Sequence, residues 1–323
     1  MTAIPNYWTT EELAADADSA RARFVESRLH PDPEDRVVYE AEIERGRNAA
    51  ETLLRRSDDL TRWDAGAIRD REALDIARYA TLPMTSADDL DTLFATCVGA
   101  WIKQTASSTR RVSREPTPEA FALIAEYLAN NMDPILTPWL RASREPAETE
   151  REMFALWVAS ARAASRVGSA RKNRGAQRQE NAVRESLVEI DYGAVEKGRQ
   201  RGAADSRFRP IELPPRTFTA KPRVLNGKSA DVVIRLADDH PSGIKVLVVE
   251  CKDSNSAINS RKRLFEVAAK RAAWLRGEDL PNEFRTVAVL SGVFGLRELE
   301  DAQKEGIHII WEHRLSDLQA FAA

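Results

Sequence analysis

The sequence is poor in cysteine, with only Cys97 and Cys251 in 323 residues. So few thiols exclude a disulfide framework and predict a reducing compartment, which makes a cytoplasmic location the expectation. Long apolar runs are also missing: none reaches ten residues, whereas a membrane-spanning helix needs roughly 20. No basic stretch followed by an apolar one opens the chain, so no secretory signal is expected. The sequence therefore predicts no membrane partner.

Several catalytic signatures are absent as well. The 14 glycines are too scattered for a phosphate-binding loop or a dinucleotide fingerprint, and no G-x-S-x-G turn occurs. His308 and His313 do not have zinc-ligand spacing with either cysteine. His308 is predicted to be an ordinary strand residue.

The charge of the chain is unevenly distributed, although its net value is only −3. Between Arg162 and Lys228 the local balance is +9, which leaves −12 for the rest of the chain. This asymmetry predicts a segment that faces nucleic acid within an otherwise acidic protein. The alternative is a solvated, arginine-rich surface without a partner.

The length predicts two domains or one elaborated domain, and contents of 43% apolar and 31% charged residues are typical of a soluble globular protein. Residues 1–165 are predicted to form a mainly helical domain. No group of residues in it suggests chemistry, so its expected role is scaffold, dimer contact or DNA clamp. The predicted helices cover residues 10–29, 37–54, 67–80, 87–102, 118–131 and 146–165.

The character of the chain changes at about residue 165. Residues 165–175 are basic and rich in small side chains, which predicts a linker. Residues 166–323 are predicted to form the second domain. Its elements alternate between helix and strand and end in two buried strands at 287–290 and 307–311, separated by a helix at 296–304. This order favours an α/β fold with a mixed sheet.

Two strand-like runs, at 231–236 and 246–252, flank a loop rich in turn-forming residues. With the turn centred in that loop, antiparallel partners have residue numbers that sum to 481, which places Asp231 opposite Glu250. Glu250 and Lys252 project to one face because side chains alternate along a strand. A shift of one residue would turn Asp231 to the other face. The register therefore decides whether two carboxylates and an ammonium group meet.

Helices are predicted on both sides of this hairpin in the sequence. An apolar stripe with spacings of 4 and 3 begins at Ala176, and Glu180 lies on it. Glu180 is either a boundary residue whose carboxylate reaches water or an additional acid of the site. The second helix is expected to carry Arg261, Lys262 and Arg263 in its first turn, where they oppose the helix dipole unless a phosphate binds there.

Two carboxylates and a lysine beside a basic segment suit metal-assisted hydrolysis of a phosphodiester. Mg²⁺ prefers oxygen ligands and keeps several waters, so Asp231, Glu250 and the backbone carbonyl of Cys251 would suffice as ligands. The metal would polarise a phosphoryl oxygen and lower the pKa of a bound water. Lys252 would stay protonated and would hold the attacking water or offset charge on the phosphate. The alternative is an ordinary surface ion-pair cluster.

The pattern Asp231…Glu250-Cys251-Lys252, after a helix that carries Glu180, resembles the PD-(D/E)xK nuclease superfamily. Ala230 stands in place of the proline of that motif. The resemblance extends over residues 176–314 and is strongest to XamI-type restriction endonucleases. The segments that carry it are 229–234, 250–256, 290–294 and 310–313.

The resemblance implies both a fold and an activity. The implied fold of the second domain is a restriction-endonuclease-like α/β core, a mixed central sheet flanked by helices, which follows the helical N-terminal half predicted above. The implied activity is that of a type II site-specific deoxyribonuclease, a hydrolase that uses Mg²⁺ to cut both strands of DNA within a restriction–modification system. In that system Asp231 and Glu250 bind metal, Lys252 assists the water and Glu180 is an additional acid. Cutting a palindrome implies a homodimer, and a DNA methyltransferase is the expected genetic partner.

Contacts to double-stranded DNA are predicted just beyond the hairpin, where polar and basic side chains could bind base edges or phosphates. Two other functions remain open: a repair or recombination nuclease of the same fold, and a DNA-binding protein whose catalytic centre is vestigial. The intact acid–acid–lysine set argues against the second. The predicted DNA-binding residues are Ser254, Asn255, Ser256, Asn259, Arg261 and Lys262.

Overall fold

The computed structural model describes residues 8–30, 32–103, 115–196 and 208–323. The chain divides into two compact units. The sheet unit consists of Met1–Pro31 and Lys172–Ala323, and the helical unit consists of Asp32–Arg171. The functional roles predicted for residues 1–165 and 166–323 remain predictions.

The helices of the described residues lie in both units. None of them is both long enough and apolar enough to cross a lipid bilayer. In chain order they are α1 (Thr10–Leu29), α2 (Pro33–Arg56), α3 (Ala65–Ile68), α4 (Arg71–Ala77), α5 (Ala87–Phe94), α6 (Val98–Lys103), α7 (Pro118–Asn130), α8 (Pro138–Ala142), α9 (Glu148–Val188), α10 (Ala257–Arg276), α11 (Leu296–Lys304) and α12 (Leu315–Ala322).

The strands belong to the sheet unit. Six of them form a mixed sheet in the order β1-β2-β5-β6-β7-β8, and β3 and β4 form a separate hairpin. The predicted α/β class with a mixed sheet is confirmed. The strands are β1 (Gly193–Val195), β2 (Thr217–Thr219), β3 (Arg223–Leu225), β4 (Lys228–Ala230), β5 (Val232–Arg235), β6 (Val246–Ser254), β7 (Phe284–Gly292) and β8 (Ile307–Trp311).

Local capping explains where several helices begin and why two predicted helices are interrupted. The Thr9 hydroxyl accepts a hydrogen bond from the Glu12 amide at 3.2 Å, and α1 begins there as predicted. The predicted helix at 67–80 is wrong as one element because the Asp70 carboxylate caps a new helix, α4. The predicted helix at 87–102 is likewise wrong, since Ala95 adopts left-handed backbone (φ 48°) and ends α5.

The helical unit has its own apolar core, formed mainly by α2, α4, α7 and the first part of α9. A buried ionic cluster lies in the same unit. The Arg162 guanidinium, in α9, donates to Asp75 at 2.8 Å and to Glu42 and Glu72 at 2.6 Å each. Both Arg162 (2% exposed) and Asp75 (1% exposed) are buried. These four side chains add ion pairs to the apolar contacts between α2, α4 and α9.

The predicted linker at 165–175 is wrong, because α9 runs without interruption from Glu148 to Val188. Gly168 and Gly175 lie within it, and a Cβ at either position would meet nothing within 4 Å. Each glycine costs a helix roughly 1 kcal/mol relative to alanine, which is too little to break a helix packed at both ends. Arg171 forms an ion pair with Asp35 along this stretch.

The sheet is covered on both faces. Leu247 and Val249 of β6 pack on α9 and α12, whereas Val246 and Val248 face Trp274 of α10. This alternation decides the surroundings of the residues that follow in β6. Side chains at even positions, including 250 and 252, lie on the α10 face, and that of 251 lies on the α9 face.

The last strand confirms the prediction for His308. It lies in β8 and is buried. Its ring stacks on Phe321 of α12 with the centroids 4.9 Å apart. The histidine therefore belongs to the packing between the sheet and the C-terminal helix, an element that was not predicted.

Candidate active site

The candidate site lies where β5 and β6 meet at one end of their hairpin. The two strands pair antiparallel with Val232 opposite Val249, so the predicted register is confirmed. The loop between the strands contains Gly243 with φ 69°, a conformation that favours glycine. Asp231 and Glu250 are one residue beyond this last pair, so the register places them opposite each other on the two strands.

Asp231 is held at this end through its backbone and its side chain. Its amide donates to the Val249 carbonyl at 3.1 Å, and its Oδ2 accepts a hydrogen bond from the Cys251 amide at 2.8 Å. The N–H and C=O of one strand residue point toward the same neighbouring strand. The Cys251 carbonyl is therefore directed to the edge where the Asp231 carboxylate lies.

The Glu250 carboxylate is completely buried, at 0% exposure, and two lysines hold it. The Lys252 Nζ lies 2.9 Å from Oε2, and the Nζ of Lys270, in α10, lies 2.6 Å from the same oxygen. Oε1 is buried and has no hydrogen-bond partner among the described residues. An unpaired buried acceptor costs about 1–3 kcal/mol. Lys252 and Lys270 thus hold Oε2 of Glu250, and Oε1 is suited to bind a metal cation.

Burial and neighbouring charge set the protonation of this group. Burial raises the pKa of Glu250 above its ordinary value, and the Asp231 carboxylate raises it further, while Lys252 and Lys270 oppose the shift. Burial alone would lower the pKa of Lys252, but the Glu250 carboxylate raises it above its ordinary value. Lys252 therefore remains an ammonium ion near neutral pH.

Cys251 contributes its backbone to the site and not its sulfur. The side chain lies on the opposite face of the sheet, at the edge of the core formed with α9. Burial raises the pKa of the Cys251 thiol well above its ordinary value, and the Asp231, Glu180 and Glu250 carboxylates add to the shift. The thiol is therefore protonated, which suits the prediction that the carbonyl of Cys251 is the ligand.

The structure does not bring Glu180 into hydrogen-bonding contact with Asp231, Glu250 or Lys252. Its helix, α9, packs on the sheet face opposite the one that carries Glu250. The Glu180 carboxylate accepts from Arg184 at 2.8 Å, and Arg184 also reaches the Asp231 carbonyl at 3.3 Å. Glu180 is thus linked to Asp231 through Arg184, and its direct role in the site remains a prediction.

The predicted DNA-binding residues fall into two groups. Ser254 is buried and its hydroxyl donates to the Ser256 carbonyl at 2.8 Å, while the Ser256 hydroxyl caps α10 by accepting from the Asn259 amide at 3.2 Å. Arg261 and Lys262 are exposed on α10. The two serine hydroxyls therefore stabilise the strand-to-helix turn, and the exposed side chains are the better candidates for DNA contact.

The predicted start of α10 is also wrong. The helix begins at Ala257, after the Ser256 cap, and not at Arg261. Arg261, Lys262 and Arg263 are consequently in its second turn, where the dipole acts on them less. These cations therefore do not require a phosphate at the start of α10.

Much of the predicted basic segment is engaged within the protein. Five of its arginines pair with carboxylates in the described residues, and Lys197, Arg199, Arg201 and Arg207 lie outside the described ranges. Carboxylates of the protein therefore offset part of the positive charge that the sequence count gives between 162 and 184. The pairs are Arg162 and Arg166 with Asp75, Arg171 with Asp35, Arg178 with Glu312 and Arg184 with Glu180.

The oxygen atoms of the site fit a hard divalent cation that keeps much of its water. Within the described ranges, no group of three or more His, Cys, Asp and Glu side chains is arranged to hold a metal ion. The site offers instead the unpartnered Oε1 of Glu250, the Asp231 carboxylate and the Cys251 carbonyl. Mg²⁺ is commonly bound by one or two carboxylates with several waters, so this donor set is sufficient.

Sequence reasoning missed Lys270 and Arg184. Lys270 lies 20 positions beyond Glu250 and belongs to no local motif. A signal was nevertheless present, because Lys270 falls on the buried stripe of α10, three residues after Val267 and four before Trp274. A lysine on an apolar stripe needs an acidic partner. Arg184 lies four residues after Glu180 on α9, the spacing of a helical ion pair.

An acid beside an acid–x–lysine strand end, on a mixed sheet flanked by helices, is the arrangement shared by PD-(D/E)xK nucleases, and restriction endonucleases are one class of them. The sequence model described as XamI restriction endonuclease matches residues 58–311. The chain belongs to the XamI restriction endonuclease family. The match begins in the helical unit, well before the 176–314 stretch that carries the sequence resemblance.

Two curated relatives are named type II restriction enzymes. The chain is 30% identical over 287 residues to the type II restriction enzyme XamI of Xanthomonas campestris pv. amaranthicola, which covers 85% of this chain and 93% of that one. It is 24% identical over 209 residues to the type II restriction enzyme SalI of Streptomyces albus G, which covers 62% of this chain and 63% of that one. No solved structure matches the chain.

Proposed function

We propose that this protein is a type II restriction endonuclease that cuts both strands of DNA at a specific sequence in a Mg²⁺-dependent reaction. The observation that carries the proposal is the buried Glu250 carboxylate beside Asp231 and Lys252. Its Oε2 is held by two lysines, and its Oε1 has no partner in the part of the chain that the structure describes. Membership of the XamI family supports it, as do two relatives named type II restriction enzymes.

Asp231, Glu250 and the Cys251 carbonyl are the proposed metal ligands. When bound, Mg²⁺ supplies a Lewis acid for the phosphoryl oxygen and lowers the pKa of a bound water. The Cys251 amide orients the Asp231 carboxylate through the 2.8 Å hydrogen bond. Lys252, an ammonium ion at the surface of the site, holds the attacking water or offsets the charge that develops on the phosphate. Glu180 is proposed as an additional acid of the site, linked to Asp231 through Arg184.

The proposed partners follow from the reaction. Double-stranded DNA is the substrate, with Asn255, Asn259, Arg261 and Lys262 as proposed contacts. Cleavage of a palindrome favours a homodimer, and the helical unit is proposed as scaffold, dimer contact or DNA clamp. We expect the protein to be cytoplasmic. A restriction enzyme requires a DNA methyltransferase that protects the host DNA at the same sequence, and a methyltransferase gene beside this one would support that partner.

Digestion of a plasmid with purified protein tests the proposal. With Mg²⁺ we expect a small set of discrete bands, and with a chelator we expect uncut plasmid, because the carboxylates alone cannot activate water. A smear or progressive shortening from the ends would favour a repair or recombination nuclease of the same fold. No cleavage with Mg²⁺ or Mn²⁺ over many candidate sequences would favour a DNA-binding protein with a vestigial centre.

A further inference from the structure

The candidate site contains a second lysine to which the proposed reaction assigns no role. The Lys270 Nζ lies 2.6 Å from Glu250 Oε2 and 3.4 Å from the Ser229 hydroxyl. Its helix packs Val267 and Trp274 into the core on either side of it. The packing of α10 therefore fixes the position of the Lys270 ammonium beside Glu250.

With Lys270 in place, the site is electrically balanced before any metal binds. Asp231 and Glu250 supply two negative charges, and Lys252 and Lys270 supply two positive ones. Two further carboxylates nearby add no net charge, because Glu180 is paired with Arg184 at 2.8 Å and Glu266 with Arg263 at 3.4 Å. A divalent cation would leave the four-residue set with an excess of two positive charges. Like charges at such short range repel strongly in a partly desolvated site.

A DNA phosphate is the group that would relieve this excess. It brings negative charge to the metal and to the lysines, and it is the substrate group that a phosphodiesterase site must bind. Metal and phosphate would each offset the charge that the other introduces. By thermodynamic linkage, each would then raise the affinity of the site for the other.

We propose that Lys270 is an internal counter-ion of Glu250 that keeps the affinity for divalent metal low until a DNA phosphate enters the site. This inference rests on the proposed function. Lys270 acts through Glu250 and is a positioning residue, whereas Lys252 faces the reacting phosphate. The protein would accordingly bind metal weakly when it is free and more tightly when it is on DNA.

Calorimetric titration of Mn²⁺ into the full-length, DNA-free protein tests the proposal. Lys270→Met removes the charge and keeps the length of the side chain, so we expect it to bind Mn²⁺ on the order of tenfold more tightly than the wild type. Lys270→Arg keeps the charge and should bind like the wild type. Lys304→Met, a matched substitution at an exposed lysine of α11 that pairs with Asp301, should also be unchanged. Equal or weaker binding by Lys270→Met would overturn the proposal.

The same variants separate this inference from the proposed function. With DNA that carries the recognition sequence, Ca²⁺ should bind the wild type more tightly than without DNA, and this gain should be smaller in Lys270→Met. If the wild type cleaves DNA but the gain is equal in both, only the role of Lys270 is wrong. If the wild type neither cleaves DNA nor binds metal on it, the proposed function is wrong. Should Lys270→Met fail to fold, Lys270→Gln carries the same expectation, since it keeps a donor to Oε2 without the charge.

Discussion

Lys252→Met is expected to lower the rate of DNA cleavage by on the order of 10²–10³-fold and to leave binding to the recognition sequence nearly unchanged. The ammonium is the group at this site that can hold the attacking water or offset the charge of the transition state, and loss of one such group has an effect of this size. Binding should persist because Lys252 is a single charge among the contacts of an extended DNA interface. Methionine keeps the apolar stem of the side chain, and Lys270 still holds Glu250.

Single-turnover cleavage and a gel-shift titration in Ca²⁺, on the site mapped from the wild-type digest, measure the two effects. Lys304→Met serves as the control because the Lys304 side chain is 73% exposed and is distant in sequence from the site residues. If Lys252→Met loses binding and cleavage to the same extent, Lys252 supports the structure and does not take part in the reaction.

Arg162→Met is expected to destabilise the helical unit by about 1.5–3 kcal/mol, the usual contribution of hydrogen bonds to charged groups, because Asp75 keeps its ion pairs with Arg78 and Arg166. The substitution leaves the buried Asp75 carboxylate without its 2.8 Å contact and removes the 2.6 Å contacts of Glu42 and Glu72. Arg45→Met is the matched control, because Arg45 contacts the same Glu42 from the surface at 3.2 Å with 70% of its side chain exposed. Exposed pairs contribute about 0–1 kcal/mol.

The pH at which Arg162→Met begins to unfold provides a second test of the same ion-pair cluster. Burial alone would raise the pKa of Asp75, but Arg78, Arg166 and Arg162 together hold it below its ordinary value. A carboxylate with a lowered folded pKa stabilises the protein above its unfolded pKa, and that stabilisation is lost as the pH falls through the folded value. Without Arg162 the folded pKa rises, so unfolding should begin at a higher pH. Denaturant unfolding at several pH values measures both effects, and a loss under 1 kcal/mol would show that the cluster is not important for stability.

The parts of the fold that sequence patterns predict well are those with strong local signals. The hairpin register is correct because the loop between β5 and β6 is rich in turn formers, and the position of the turn fixes which residues of the two strands pair. The bounds of α11 and β8 match the predicted 296–304 and 307–311 because one is strongly amphipathic and the other is a continuous apolar run. The resemblance to the PD-(D/E)xK nucleases depends mainly on residues of the β5–β6 hairpin, where the local signal is strong.

The parts that sequence patterns could not predict depend on distant partners. Residues 165–175 have the composition of a linker, yet they are helical because the flanking parts of α9 are packed and because Arg171, in the middle of the helix, pairs with Asp35. The orientation of the Asp231 side chain depends on the Cys251 amide, 20 residues away. Lys270 joins the site only once α10 folds back over β6. The position of Lys270 on the buried stripe of α10 predicts an acidic partner but does not identify it as Glu250, and the other contacts have no short-range signal in the chain.

Iron-directed backbone cleavage tests the central claim most directly. Fe²⁺ in place of Mg²⁺, with ascorbate and peroxide, generates hydroxyl radicals that cut the polypeptide beside the bound metal. We predict cuts near Asp231 and near Glu250, suppressed by excess Mg²⁺ and absent in Asp231→Asn and Glu250→Gln, both of which should also fail to cleave DNA. Cuts confined to other parts of the chain, or cuts near 231 and 250 that persist in both variants, would contradict a metal centre at the end of the β5–β6 hairpin.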